Sequence, residues 1–139
     1  MNDKNKNVVL WVFTALTALV FLGSGVAKLT AQQQMVDNFH HWGLSDQLLM
    51  FVGGAELLGG LALLLPPTAT LAAGGLAVIM VGATFTHLAH GEGPKALVPL
   101  ILLGLVIWIG SARRNAVSKW LGAPEAHGDP HGAQPDHTH

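Results

Sequence analysis

The chain has 139 residues, half of them hydrophobic and only 11% charged, with a formal net charge of −1. That length holds one domain, and the charged fraction lies far below the roughly 25% usual for soluble domains. No basic excess offers a nucleic-acid-binding face, and the absence of cysteine excludes disulfides, thiolate metal sites and thiol nucleophiles.

The first apolar block runs uncharged from Val8 to Ala27 and stops at Lys28. At ~1.5 Å per residue, about 20 residues cross the ~30 Å of bilayer hydrocarbon, so this block predicts a membrane-spanning helix over about 8–28. Read instead as a cleaved signal peptide, it would use Asn2 to Asn7 as leader and Leu29-Thr30-Ala31 as cleavage site. A signal core is typically about 7–15 residues and this one is longer, which favours the uncleaved helix. Thr14, Thr17, Phe21, Ser24, Gly25 and Lys28 recur at three- and four-residue steps. Such a small and polar stripe suits an interior face. Lys28 has a stem long enough to reach toward the membrane centre or to snorkel outward.

The stretch Gln32–His41, with Met35, Val36 and Phe39, predicts a short amphipathic helix lying in the interface. Gly43 is placed to end it and Ser45 to cap the next helix. The second block, about 48–65, is broken only by Glu56 and ends at Pro66-Pro67. Glu56 falls roughly 12 Å along that helix from Leu48, where a carboxylate costs of the order of 3 kcal/mol unless paired, protonated or turned inward. Gly53, Gly59 and Gly60 share its helical face, which predicts close helix packing and an inward-pointing Glu56.

A short uncharged turn at Leu65 to Thr68 predicts an antiparallel hairpin into the third helix, about 69–88. Gly74, Gly75 and Gly82 on that helix are read as close-packing positions. His87 ends it, and His90 shares the face of His87 if the helix continues. The fourth helix, about 96–112, carries Pro99, a candidate kink, and ends at Arg113-Arg114. Beyond it, 113–139 forms a tail. From about 122 this tail is rich in Gly, Pro, Asp and His, and it is expected to be disordered.

The blocks lack the period-2 alternation of barrel strands, and backbone groups in lipid must be satisfied within a helix or closed barrel. The fold class is therefore all-α, an integral membrane four-helix bundle with both termini on one side. Lys4, Lys6, Arg113, Arg114 and Lys119 stand on the terminal side, against Lys28 and Lys95 on the other. That bias makes the terminal side cytoplasmic.

This topology gathers Lys28, Glu56, His87 and His90 in the outer half of the bundle, with His40 and His41 above them. The expectation is a buried Lys28–Glu56 ion pair hydrogen-bonded by His87; the plainer alternative is an interfacial anchor and a bundle-locking carboxylate. Imidazole suits zinc, copper and iron, so His40, His41, His87 and His90 are weak metal candidates, but their spacing matches no motif and capping or surface roles are favoured. The tail histidines His127, His131, His137 and His139 are equally weak chelators. There is no nucleotide loop, haem-ligand motif, Ser/His/Asp set or second membrane carboxylate.

Five segments carry a family resemblance: Phe21-Leu22-Gly23-Ser24-Gly25-Val26-Ala27-Lys28-Leu29, Trp42-Gly43-Leu44, Gly53-Gly54-Ala55-Glu56-Leu57-Leu58-Gly59-Gly60, Leu63-Leu64-Leu65-Pro66 and Gly82-Ala83-Thr84-Phe85-Thr86-His87-Leu88. Together they resemble DoxX-like membrane proteins over roughly Val8 to Gly110. The His40-His41 pair and the tail lie outside the pattern. The resemblance implies a four-helix membrane unit in a cell membrane, the inner membrane for a bacterium. Lys28, Glu56 and His87 match the family's recurring polar positions, with no established catalytic role. Relatives of the group resemble membrane subunits of quinone-linked oxidoreductases, components of oxidative-stress complexes, or chaperones of other membrane proteins. Two functions are therefore expected. One is an accessory redox subunit with a quinone near Lys28, Glu56 and His87. The other is a non-enzymatic scaffold or assembly factor. In either case the partners are lipid and other membrane subunits, or further copies of the chain.

Overall fold

The structure, a computed structural model, describes residues 2–120, the side chains of 116–120 excepted. Five α-helices follow in order: α1 Asp3–Leu29, α2 Gln33–His41, α3 Asp46–Leu63, α4 Pro66–Ala89 and α5 Leu97–Trp120, the last entered through a 3-10 turn at Gly93–Ala96. Four of them are long and apolar enough to cross a membrane; α2 is the short exception.

The helix ends follow capping chemistry more than the edges of the apolar blocks. α1 begins at Asp3, ahead of the block, because the Asn2 side chain accepts from the Asn5 amide at 2.9 Å and Asp3 complements the helix dipole. α5 continues past Arg113-Arg114 to Trp120. Charge ends the stretch that lipid accepts, but Ala and Arg remain good helix formers. Pro66 and Pro67, expected in the turn, form the first turn of α4, where a missing N–H leaves no bond unmade. Pro99 also falls in a first turn, that of α5, so the expected kink has no cause there. The Ser45 hydroxyl accepts from the Leu48 amide at 3.2 Å and caps α3. Gly43, at φ +73°, turns the chain out of α2.

The four long helices close a ring, α1 on α3, α3 on α4, α4 on α5 and α5 on α1. Backbone-to-backbone contact joins α1 and α3. A Cβ on Gly25 would lie 2.7 Å from the Gly53 carbonyl oxygen, and one on Gly53 would lie 2.7 Å from Lys28 Cβ. Gly59 faces the other way, against Leu76 of α4. Gly74, Gly75 and Gly82 have no atom within 4 Å of where a Cβ would stand. All three are exposed, so the close-packing role expected of them is not filled within this chain. Phe21, Leu63, Ala73, Leu76, Met80, Val106 and Ile109 form the core, while Leu19, Phe51, Leu58, Leu71, Val78 and Phe85 are exposed on the outer surface, as lipid contact requires.

The Arg113 guanidinium lies 4.4 Å over the Trp11 ring, and Trp108 meets Phe13 edge-on at 5.6 Å. The start of α1 and the later part of α5 thus share one end of the bundle, the terminal end. The opposite end, with α2 and the α4–α5 turn, is the loop end.

Candidate functional site

At the loop end the α1–α3 glycine contact brings two charged side chains within reach of each other. Lys28 Nζ donates to Glu56 Oε2 at 2.9 Å and to Ser24 Oγ at 2.6 Å, and the Ser24 hydroxyl donates to the same Glu56 oxygen at 2.8 Å. Ser24 lies four residues before Lys28, one turn along the same face. Both ions are buried, Lys28 at 9% and Glu56 at 3% exposure. Sequestered charges persist only when paired and hydrogen-bonded, and the triad meets that condition. One N–H of Lys28 remains uncommitted after these two bonds, as does Glu56 Oε1 among the described residues.

The triad forms one wall of a cavity of about 490 Å³ to which all five helices contribute. Most of its lining is apolar, from Phe21, Val52, Met80 and Leu102 among others, and α2 and its cap residue cover part of it with Phe39 and Trp42. Its volume falls in the ~300–1,000 Å³ range of ligand sites, which combine apolar walls with a few fixed polar groups.

His87 also lines the cavity, but it does not bond to the Lys28–Glu56 pair. Its Nδ1 lies 2.8 Å from Glu92 Oε2, and its ring meets Trp42 edge-on at 5.0 Å. Trp42 Nε1 donates to the same Glu92 oxygen at 3.2 Å, and Lys95 Nζ reaches Glu92 Oε1 at 3.3 Å. These bonds, led by that of His87, hold the Glu92 carboxyl below its usual pKa against the opposing effect of partial burial. Sequence reasoning missed Glu92. The available signal was a lone acid between two glycines, five residues after His87, in a loop that must return the chain to the membrane.

His90 does not join the cluster either. α4 stops at Ala89, His90 caps it with its Nδ1 2.8 Å from the Thr86 carbonyl oxygen, and the left-handed Gly91 (φ +71°) turns the chain away. His90 is exposed, with its ring 6.2 Å from that of His41. His40 pairs with Asp46 at 2.7 Å on the surface. Among the described residues no three His, Asp or Glu side chains are grouped as a metal site. His127, His131, His137 and His139 lie outside the described residues.

A ring of four membrane-length helices, with a short helix over a part-polar cavity of ligand size, defines a multi-pass membrane protein. The chain belongs to the DoxX-like family, whose model matches residues 12–109, a span that takes in every member of the triad and of the Glu92 cluster. No curated protein and no solved structure matches the chain.

Proposed function

We propose that this DoxX-like protein is an accessory subunit of a quinone-linked membrane redox system, and that its cavity receives the quinone head group. The cavity carries this reading: a chamber of about 490 Å³, apolar over most of its wall, with Lys28, Ser24 and Glu56 on one side and His87 on another. A quinone offers a flat apolar ring and two carbonyl acceptors, and it supplies two-electron, two-proton chemistry when bound. The uncommitted Lys28 N–H is a donor for one carbonyl, and the Glu56 carboxylate can accept or return a proton beside it. The chain has no thiol to carry electrons, so in this reading they come from a partner subunit. The lysine and arginine bias orients the terminal end to the cytoplasm, which opens the chamber toward the outer leaflet.

A short-chain quinone titrated into the purified protein tests the reading. Trp42 stands on the cavity wall, so saturable quenching of tryptophan fluorescence is expected, lost in the Lys28→Met/Glu56→Gln double variant. Linear, unsaturable quenching, or equal quenching of both proteins, would overturn it.

A second reading, a scaffold or assembly factor for other membrane proteins, is favoured by one observation. Gly74 and Gly75 are exposed on α4 with open space where a side chain would stand, and small residues of this kind let a foreign helix approach closely. In that case a membrane protein co-purifies with the wild type and is lost from Gly75→Leu, while the cavity variants retain it.

A further inference from the structure

We propose that α2 together with Trp42 is a lid on the cavity, latched shut by Glu92, and that ligand enters beneath it without opening the helix ring. The inference rests on reading the cavity as a ligand site, and it is carried by how differently its walls are held. The walls from α1 and α3 are locked by backbone contact at Gly25 and Gly53, and α4 and α5 share the core residues Ala73, Leu76, Val106 and Ile109. Parting α1 from α3, or α4 from α5, would break packing along much of each helix.

The α2 wall is held lightly. Of its nine residues only Phe39 is buried, its N-terminus has no side-chain cap, and its two flanks turn sharply at Ala31 (φ +51°) and Gly43 (φ +73°). Yet α2 and its cap residue supply Met35, Asn38, Phe39 and Trp42 to the cavity lining. A short segment with few buried apolar contacts opens at low free energy, the common property of active-site lids.

What holds it down is polar and local. Among the described residues, Trp42 Nε1 to Glu92 Oε2 is the hydrogen bond that ties the 31–44 segment to the α4–α5 half. The remaining bonds of Glu92, from His87 and Lys95, lie within that half. They fix the acceptor in place whether or not Trp42 is docked. The Trp42 ring rests on His87, so lifting Trp42 uncovers one polar wall of the cavity as it opens the entrance. The latch thus reports directly on access.

The absence of native cysteine gives a clean background for the test. In the full chain, Val52→Cys places a thiol on the cavity wall, and Gln34→Cys places one on the exposed face of α2. Labelling rates with a membrane-impermeant maleimide are compared in the otherwise wild-type chain, with Trp42→Phe, and with Glu92→Ala. Trp42→Phe keeps an aromatic ring and leaves the His87–Glu92 and Lys95–Glu92 bonds intact. Loss of one hydrogen bond to a charged acceptor is expected to speed labelling at Val52→Cys about tenfold in both variants, with Gln34→Cys unchanged. Equal Val52→Cys rates in all three backgrounds would overturn the lid. So would a matching rise at Gln34→Cys, which would mean general loosening. The assay needs no ligand, so its failure is distinct from failure to bind a quinone.

Discussion

Toward the terminal end the bundle is filled by side chains: Leu63, Ala73, Leu76, Val106 and Ile109 pack at 3% exposure or less, and Arg113 and Trp108 bind α5 to α1 through aromatic faces. Toward the loop end the same four helices enclose a cavity, and their contacts run through a buried ion pair, a serine and a latched tryptophan. The difference separates two tasks. Apolar side chains that pack one half hold the ring together, so the other half can keep an open chamber and charged groups that a fully packed core would exclude.

The largest effect expected from breaking this division is at the ion pair. Lys28→Met alone leaves Glu56 buried without its cation and should lower stability by about 3–5 kcal/mol. Lys28→Met combined with Glu56→Gln removes both charges and should recover most of that loss. Unfolding in detergent, followed by circular dichroism, measures both, and a double variant no better than the single would show that the two residues do not act as a pair. At the packed end, Leu76→Ala should cost about 2–5 kcal/mol, while Val52→Ala, half-buried on the cavity wall, should cost clearly less in the same assay.

Glycines sharpen the comparison at smaller scale. Gly25→Ala drives a Cβ to 2.7 Å from the Gly53 carbonyl oxygen and 2.8 Å from the Leu57 amide nitrogen. Backbone atoms cannot step aside cheaply, and a loss of about 1–3 kcal/mol is expected. Gly75→Ala meets nothing and should leave stability unchanged or raise it by up to about 1 kcal/mol through helix propensity. Thermal melts of the two variants side by side decide the point.

The smallest effect is at the latch, and it depends on pH. Glu92 has a lowered carboxyl pKa, so its contribution is complete above the ordinary glutamate value of 4.5 and is lost as pH falls through the lowered folded-state value. The side chains bonded to it are His87, Lys95 and Trp42. With Trp11, Trp108 and Trp120 replaced by Phe, acrylamide quenching of Trp42 should rise as pH falls below 4.5. Glu92→Ala should quench strongly at every pH.

Much of this was legible in the sequence because lipid imposes so strict a rule. Four apolar blocks had to be helices, and a lysine and a glutamate on small-residue faces within them had to turn inward, where each is the other's nearest means of neutralisation. Where the rule stops, legibility stops too. The ends of α1 and α5 lie beyond the apolar blocks, where capping and helix propensity decide. A glycine marks a missing side chain but not the presence of a neighbour, which is why Gly53 and Gly75 look alike in sequence and differ in the fold. His87 turned to Glu92 because one positive-φ residue, Gly91, set the course of a loop that no hydropathy pattern describes. The same turn carried His90 out to the surface.

The most direct test of the loop-end chamber as a quinone site is the organic extract of the protein purified from its own membranes. The wild type should carry quinone in stoichiometric amount, above that accompanying the co-extracted lipid, and the Lys28→Met/Glu56→Gln variant should lose it while remaining folded. A wild-type extract holding no more quinone than its lipid accounts for, or an equal amount from the variant, would contradict the account.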